Sequence, residues 1–494
     1  METLDELRTI AAELTDLHHI IGLMQWDQEV SLPLRAAGDR AEQFATLSGI
    51  IHRKETAARM GELLKAAEDR RDRLSEKDRA LVRVMRRAYD QATKQPEEFV
   101  TEFSRLVSSA YAAWVEARQK SDFHLFAPLL ARIVEMSRQK AEYLGYEEHP
   151  YDALLDLHEE GLRTSEVERL FHTLKEPLIR LVQRAAATPP TELVIEPPFE
   201  LAAQIRFAEQ VLAKMGYDFD RGRQDQAAHP FSTTLGRHDQ RVTNRYAPRS
   251  LEFIFVALHE GGHALYEQGV DETLGRSPLG GGVSLGIHES QSRLWENIIG
   301  RSRPFWAGFL PALQQAFPAQ LGKIPLDAFL AAVNSVHPGP IRVEAGEVSY
   351  NLHVLIRFEI EKALMEGALK VSELPEIWNQ KYREYLAVAI ADDSQGVLQD
   401  VHWSHGSLGY FPTYTLGNVA AAQIWNRYAA AHPDYEESIR RGDFRRIREW
   451  LTENIYSHGS IYPPSVLIRR VTGEELDSKY FLRYLQDKFS WLTS

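Results

Sequence analysis

Leu258-His259-Glu260-Gly261-Gly262-His263-Ala264 sets two imidazoles four residues apart, with a carboxylate beside the first. On a helix, positions i and i+4 share a face, so both rings reach a single ion. Glu260, three residues before His263, shares that face and is placed to take a proton from a metal-bound water. Zinc lowers the pKa of such a water from ~15.7 to roughly 7, which makes hydroxide available at neutral pH. The HExxH pattern therefore reads as a metallopeptidase, provided that the surrounding chain is helical.

The flanks predict that helix. Ser250 follows Pro248 as a candidate cap, and Glu252 suits the first turn. Phe253-Ile254-Phe255-Val256-Ala257-Leu258 leaves no polar face, as expected of a buried helix. Gly269 is a candidate stop. Gly261 and Gly262 each cost ~1 kcal/mol relative to Ala inside a helix, which predicts that another backbone or a ligand approaches closely there. So short a pattern also arises by chance on ordinary core helices; the buried context and a nearby third ligand weigh against chance.

A catalytic zinc takes three protein ligands and leaves one position open. The downstream run Gly280-Gly281-Gly282-Val283-Ser284-Leu285-Gly286-Ile287-His288-Glu289-Ser290-Gln291-Ser292-Arg293-Leu294-Trp295-Glu296 offers His288, Glu289 and Glu296. The glycines lead into a second predicted helix with Leu294, Trp295 and Ile298 on its apolar side. Glu289 then projects from the first turn and completes a His2Glu set. Glu296 reads as a supporting carboxylate and His288 as a polar neighbour. Gly282-Val283-Ser284-Leu285-Gly286 also matches a serine nucleophile elbow, but that motif needs a strand before it, and glycines stand there instead.

With 494 residues, 44% hydrophobic and 26% charged, the chain can bury a large core. A net charge of −13 argues against nucleic-acid or acidic-membrane binding. Absence of cysteine excludes disulfides, thiolate nucleophiles and cysteine-ligated zinc. The start, Met1-Glu2-Thr3-Leu4-Asp5-Glu6-Leu7, lacks the basic and apolar regions of a secretory signal, and no apolar run is long enough to span a bilayer, so the expected address is the cytoplasm.

Helical periodicity dominates. Leu4, Leu7, Ile10, Leu14, Leu17 and Ile21 form one stripe; Arg79–Lys120, broken near Pro96, Leu201–Met215 and Asp434–Ile455 carry others. Arg241–Tyr246 is the best strand candidate and the expected edge for pairing with an extended substrate. The expected fold is mainly α with a small sheet near the site. It reads as a single domain over 1–494, with a helical subregion 1–190 and a catalytic subregion 200–494 on either side of the proline-rich stretch Thr188 to Pro198.

Further motifs resemble one family, the carboxypeptidase Taq metallocarboxypeptidases. His229-Pro230-Phe231 is similar to its H-P-F motif, and Asp239-Gln240-Arg241-Val242-Thr243 to D-x-R-x-T. His288-Glu289-Ser290-Gln291 resembles H-E-S-Q, with Glu289 in the place of the third ligand. Ile341-Arg342-Val343-Glu344-Ala345 resembles the start of I-R-x-x-A-D, and Gly396-Val397-Leu398-Gln399-Asp400-Val401-His402-Trp403 resembles G-x-x-Q-D-x-H-W. Trp26-Asp27 fits an early position, so the resemblance runs in order along almost the whole chain. Two departures stand out: Gly346 replaces the family Asp, for which Glu347 is a partial substitute, and Asn244 replaces a usual Thr. The resemblance implies a soluble helical metallopeptidase with a deep cleft, usually a homodimer. It would remove single residues from peptide C-termini with broad specificity, using zinc or cobalt.

The implied roles follow. His259, His263 and Glu289 hold one ion per subunit, and Glu260 is the general base. The segment His405 to Tyr414 is similar to one that supplies oxyanion donors in thimet-type oligopeptidases, which favours Tyr414 and then Tyr410. A guanidinium suits a terminal carboxylate, so Arg342 and then Arg241 are the candidate clamps, with His402 and His229 as further substrate-binding residues. An oligopeptidase cutting inside short peptides would share the whole metal site, and a non-catalytic helical binding protein would not need it.

Overall fold

The repeating leucines and isoleucines at the start of the chain lie on one long helix, α1 (Glu2–Val30). Its Leu7 and Ala11 enter an apolar cluster with Met60, Leu64, Leu81 and Met85. The 79–120 pattern is two helices, α2 (Glu76–Thr93) and α3 (Glu97–Lys120), with Pro96 at the N-cap of the second. Proline has no N–H to lose at that point and cannot continue a helix behind it. α4 (Leu201–Met215) starts where the Glu200 carboxylate accepts the Ala202 and Ala203 N–H groups. The stripe predicted over 434–455 is instead two helices, Tyr435–Arg440 and Arg445–Asn454, because Gly442 turns the chain at φ 66°.

This computed structural model describes residues 2–187 and 198–490, so all but the last residue of the proline-rich stretch lies outside the described residues. Among the described residues the helix content is 71%, with one small sheet of three strands. The chain forms two compact units, each built from separated segments: Met1–Thr93, Leu193–Val333 and Ile424–Glu475 in unit 1, and Lys94–Glu192, Asn334–Gln423 and Leu476–Ser494 in unit 2.

Unit 1 holds the sheet: β1 (Gly222–Gln226), β2 (Ser232–Gly236) and β3 (Asp239–Asn244), in the order β1-β3-β2. β3 pairs parallel with β1 and antiparallel with β2. The strand predicted at 241–246 falls two residues earlier, on β3 at 239–244, and is the central one. Its backbone groups are taken on both sides, and the expectation that it offers an edge to substrate fails. Asn244, fully buried at its end, donates through Nδ2 to the Phe253 carbonyl at 3.0 Å and so ties the sheet to the next helix.

That helix is α5 (Glu252–Gly269), which packs on α4, β3 and α6 (Leu285–Arg293). The N-cap is Leu251, which has no side-chain cap, rather than the predicted Ser250; Ser250, one residue earlier, still accepts the Glu252 N–H through Oγ at 3.0 Å. Both central glycines mark close approaches. A Cβ on Gly262 would lie 2.7 Å from the Gln291 carbonyl oxygen and 2.7 Å from Ser292 Cα, both backbone atoms of α6. A Cβ on Gly261 would meet the ends of Leu212 and Met215 at 2.6 and 2.9 Å. Ser284 caps α6, its hydroxyl accepting the Ile287 N–H at 3.2 Å, and no strand precedes it. This is a helix start rather than a nucleophile elbow. Beyond Arg293 the chain winds as one π-helical turn, Leu294–Ile299.

Unit 2 is organised around α7 (Glu347–Glu366), whose Arg357 and Glu361 are fully buried and paired at 3.0 Å. Glu361 also accepts from Tyr151 Oη, Trp403 Nε1 and the Gly409 N–H. Gly346 is the N-cap of α7 and has no side chain to cap it, so the family Asp would stand where a carboxylate can accept helix N–H groups. Glu347 is occupied elsewhere, accepting from Lys488 at 2.6 Å.

The two glycine contacts predict different costs. Gly262→Ala forces two helix backbones apart and should destabilise by about 1–3 kcal/mol. Gly261→Ala meets only flexible side-chain ends and gains helix propensity worth ~1 kcal/mol, so it should stay near neutral. Urea unfolding of the two variants checks the difference.

Candidate active site

α5 carries His259, Glu260 and His263 inward in unit 1, and α6 brings Glu289 against them. Glu289 sits in the second turn of its helix, one turn further in than its predicted place. Its Oε2 lies 3.6 Å from His259 Nε2 and 3.5 Å from His263 Nε2. Ligand atoms of all three residues fall within 4.8 Å of one another. Bonds of about 2.1 Å at tetrahedral angles would separate donor atoms by about 3.4 Å, so the spacing suits a zinc-sized ion.

The outer ring nitrogens support the same arrangement. His259 Nδ1 lies 2.9 Å from Glu296 Oε2. A carboxylate only accepts, so the proton sits on Nδ1 and the Nε2 lone pair is left facing Glu289. His263 Nδ1 meets His288 Nδ1 at 2.6 Å, and His288 Nε2 meets Glu267 Oε1 at 2.8 Å. Lone pairs converging on one point need a cation between them, which makes this a donor set that fits a divalent metal.

The charge balance points the same way. Burial opposes charge on His259, but Glu289 and Glu296 outweigh it and raise its pKa. Burial alone would raise Glu289, yet Arg293, His259 and His263 hold it well below the usual carboxylate range. Arg293 donates to Glu289 at 2.7 Å and to Glu296 at 3.1 Å. Glu296 sits at about 2, where Arg293 and His259 overcome its burial. Glu260 is the exception: burial pushes it up to about 7, and His259 offsets that only in part.

The remaining predicted residues divide between the units. In unit 1, Arg241 lies on β3, its Nε and Nη2 bound to Asp239 at 2.9 and 2.8 Å and its guanidinium 4.3 Å over the ring of Trp26. His229 is exposed on the loop between β1 and β2. In unit 2, Arg342, His402, Tyr410 and Tyr414 form one cluster. Arg342 is buried, with Nε and Nη2 on Asp400, Nη1 on Tyr350 Oη at 2.8 Å, and its guanidinium 5.1 Å over the Tyr414 ring. Tyr414 Oη lies 3.4 Å from His402 Nε2, and the Tyr410 and Tyr414 rings meet edge-on at 5.4 Å. Burial pushes His402 down to about 3, so it is a neutral imidazole.

Sequence reasoning did not assign Glu267, Arg293, Asp400 or Tyr350. Glu267 was within reach: His259, His263 and Glu267 continue one i, i+4 stripe, and Arg293 is i+4 from Glu289.

Asp400 makes a pH prediction. Burial would raise its pKa, but Arg342 and Arg357 bring it to about 2 from an ordinary 3.8. A folded pKa below the unfolded one adds stability above pH ~4, and that stability is lost as pH falls through about 2. Asp400→Asn should cost about 3–5 kcal/mol at neutral pH by leaving the buried Arg342 without its carboxylate and Arg357 with Glu361 alone. Its deficit against the unsubstituted protein should narrow across that acid window in urea titrations.

The family model of the carboxypeptidase Taq (M32) metallopeptidases matches residues 6–489. Carboxypeptidase 1 of Bacillus subtilis is 42% identical, over 98% of this chain and 99% of its own. Thermostable carboxypeptidase 1 of Thermus thermophilus is 43% identical over 95% of each. The crystal structure of the M32 carboxypeptidase from Deinococcus radiodurans superposes with a TM-score of 0.97 at 41% identity, covering 100% of this chain and 99% of that one. Among the described residues, no helix is long and apolar enough to cross a membrane.

Proposed function

This chain belongs to the carboxypeptidase Taq (M32) metallopeptidases and is a metal-dependent carboxypeptidase, and we propose that one zinc ion per subunit, held by His259, His263 and Glu289, serves the release of single residues from peptide C-termini with broad specificity. The observation that carries this reading is the convergence of two Nε2 atoms on Glu289 Oε2 at 3.6 and 3.5 Å, with both outer nitrogens anchored. Cobalt suits the same donors. The bound ion supplies Lewis acidity to the scissile carbonyl and to water.

The protein's own groups do the rest. The Glu260 carboxylate, which burial leaves near neutrality in proton affinity, takes the proton from the attacking water and passes it to the leaving amine. Tyr414, and then Tyr410, donates to the developing oxyanion. The terminal carboxylate goes to Arg342 or, second, to Arg241. In both arginines an aspartate takes the edge formed by Nε and Nη2; Arg241 would meet substrate through the edge between Nη1 and Nη2, whereas Nη1 of Arg342 also donates to Tyr350. His402, neutral beside Tyr414, and His229 are the further substrate contacts. A homodimer follows from the family resemblance, and a cytoplasmic address suits a chain without cysteine.

Mass spectrometry of one peptide over time should show a ladder from the C-terminus that a chelator abolishes. Amidating that terminus removes a charge-assisted pair worth ~2 kcal/mol, and hydrolysis should slow by about 30-fold or more. Equal rates on amide and free acid would identify an oligopeptidase instead. Glu260→Gln should keep its metal by elemental analysis while kcat falls by about 10²- to 10⁴-fold.

A further inference from the structure

We propose that His288 and Glu267 are positioning residues for His263, holding its ring as the tautomer whose Nε2 lone pair faces Glu289 and thereby setting how firmly the metal is kept. This rests on the reading of His263 as a ligand. A neutral imidazole has one nitrogen that donates and one that accepts. The Glu267 carboxylate only accepts, so His288 Nε2, 2.8 Å away, carries the proton. His288 Nδ1 is then the acceptor. It faces His263 Nδ1 at 2.6 Å, which must donate. His263 Nε2 is left bare, pointing at Glu289 Oε2. His259 obtains the same tautomer in one step, from Glu296 at 2.9 Å. His263 obtains it in two, from a carboxylate acting through an intervening ring.

The surroundings hold this relay in register. The Gly282 N–H donates to the same Glu267 oxygen at 2.8 Å. The His288 ring lies 5.1 Å from that of Tyr266, whose hydroxyl accepts the Val283 N–H at 3.2 Å. Ser460 Oγ donates to the Gly281 carbonyl at 3.0 Å and anchors the loop. A Cβ on Gly282 would stand 2.6 Å from His288 Cδ2, so the ring occupies space that only glycine leaves. Glu267 is one turn beyond His263 on α5, and His288 directly precedes Glu289 on α6. The relay therefore joins both ligand-bearing helices through hydrogen bonds as well as packing.

Three measurements on the full-length, metal-loaded protein test it. Imidazole ¹⁵N–¹H correlation should find His263 protonated at Nδ1 and His288 at Nε2; the opposite tautomer on His288 overturns the proposal. Transfer of metal to a chromophoric chelator should be about 10- to 100-fold faster in His288→Phe. Gly282→Ala, which displaces the ring without removing it, should shift release the same way, and His288→Gln should recover part of the loss, since its amide can accept from His263 and donate to Glu267. Release from His288→Phe at the unsubstituted rate would overturn the relay. His263→Ala is the separate control: if it retains metal as tightly as the unsubstituted protein, the ligand assignment fails and not the relay alone.

Discussion

The contact at Gly262 is the constraint on which the rest of unit 1 depends. Two helices meet there backbone to backbone, closer than any side chain permits, and a Cβ would sit 2.7 Å from α6. That approach brings a carboxylate of one helix within 3.5 Å of an imidazole of the other. Helices packed through ordinary side chains lie 8–10 Å apart, typically, and a glutamate would then have to reach across with its full rotamer freedom. Two helix-destabilising glycines inside the motif are thus offset by a rigid donor set. Gly269 serves the same end at the helix terminus: a Cβ there would lie 2.6 Å from Tyr456, so close packing rather than a left-handed turn accounts for it.

Four glutamates around this contact, three of them buried and Glu296 half-buried, are driven to different states by their neighbours. Glu289 and Glu296 share Arg293 and face His259, and both stay ionised despite burial. Glu267 is held below its ordinary pKa, against its burial, by His288 and the Gly282 N–H. Glu260 has no arginine among the groups acting on it, and its burial prevails. The same side chain is thereby anionic where it holds or orients a ligand and poised near neutrality where it would move a proton. Pairs of carboxylates pushed apart in this way mark a division of labour between structural charge and acid–base chemistry.

The i, i+4 spacing, the apolar run and the glycine cost were enough to read α5, its burial and a close approach by another backbone or a ligand, because all three are local to one helix; that the neighbour is the backbone of α6 came from the packing. Glu289 was chosen among His288, Glu289 and Glu296 by donor chemistry and by the resemblance of His288-Glu289-Ser290-Gln291 to a family motif, not by spacing. What escaped was non-local. The edge role given to residues 241–246 failed because strand order depends on which partners arrive from 222–226 and 232–236, and periodicity carries no information on order. His288 looked like a bystander because its partner Glu267 lies 21 residues earlier, and only the packing of α5 on α6 brings them together. Asp434–Ile455 looked continuous because a single glycine at positive φ leaves the apolar stripe on either side intact.

Whether the cut falls at the end of a peptide depends on which positive charge is open to a carboxylate, and here the two arginines differ. Arg241 is held by Asp239 through its side edge, with its guanidinium carbon 4.3 Å over the ring of Trp26. Arg342 is held by Asp400 on that same edge, gives Nη1 to Tyr350 as well, and is more deeply buried. Its cluster is already neutral, with Arg342 and Arg357 matched by Asp400 and Glu361. A peptide carboxylate added there brings one uncompensated negative charge into a low-dielectric setting, so its binding must draw on hydrogen bonds from Arg342 and the neighbouring tyrosines rather than on net charge. An amide or an internal peptide bond brings no such charge and accepts fewer of those bonds. Discrimination between a free terminus and an internal bond would then come from the geometry of the donors, which is the property a guanidinium locked by an aspartate among aromatic rings provides.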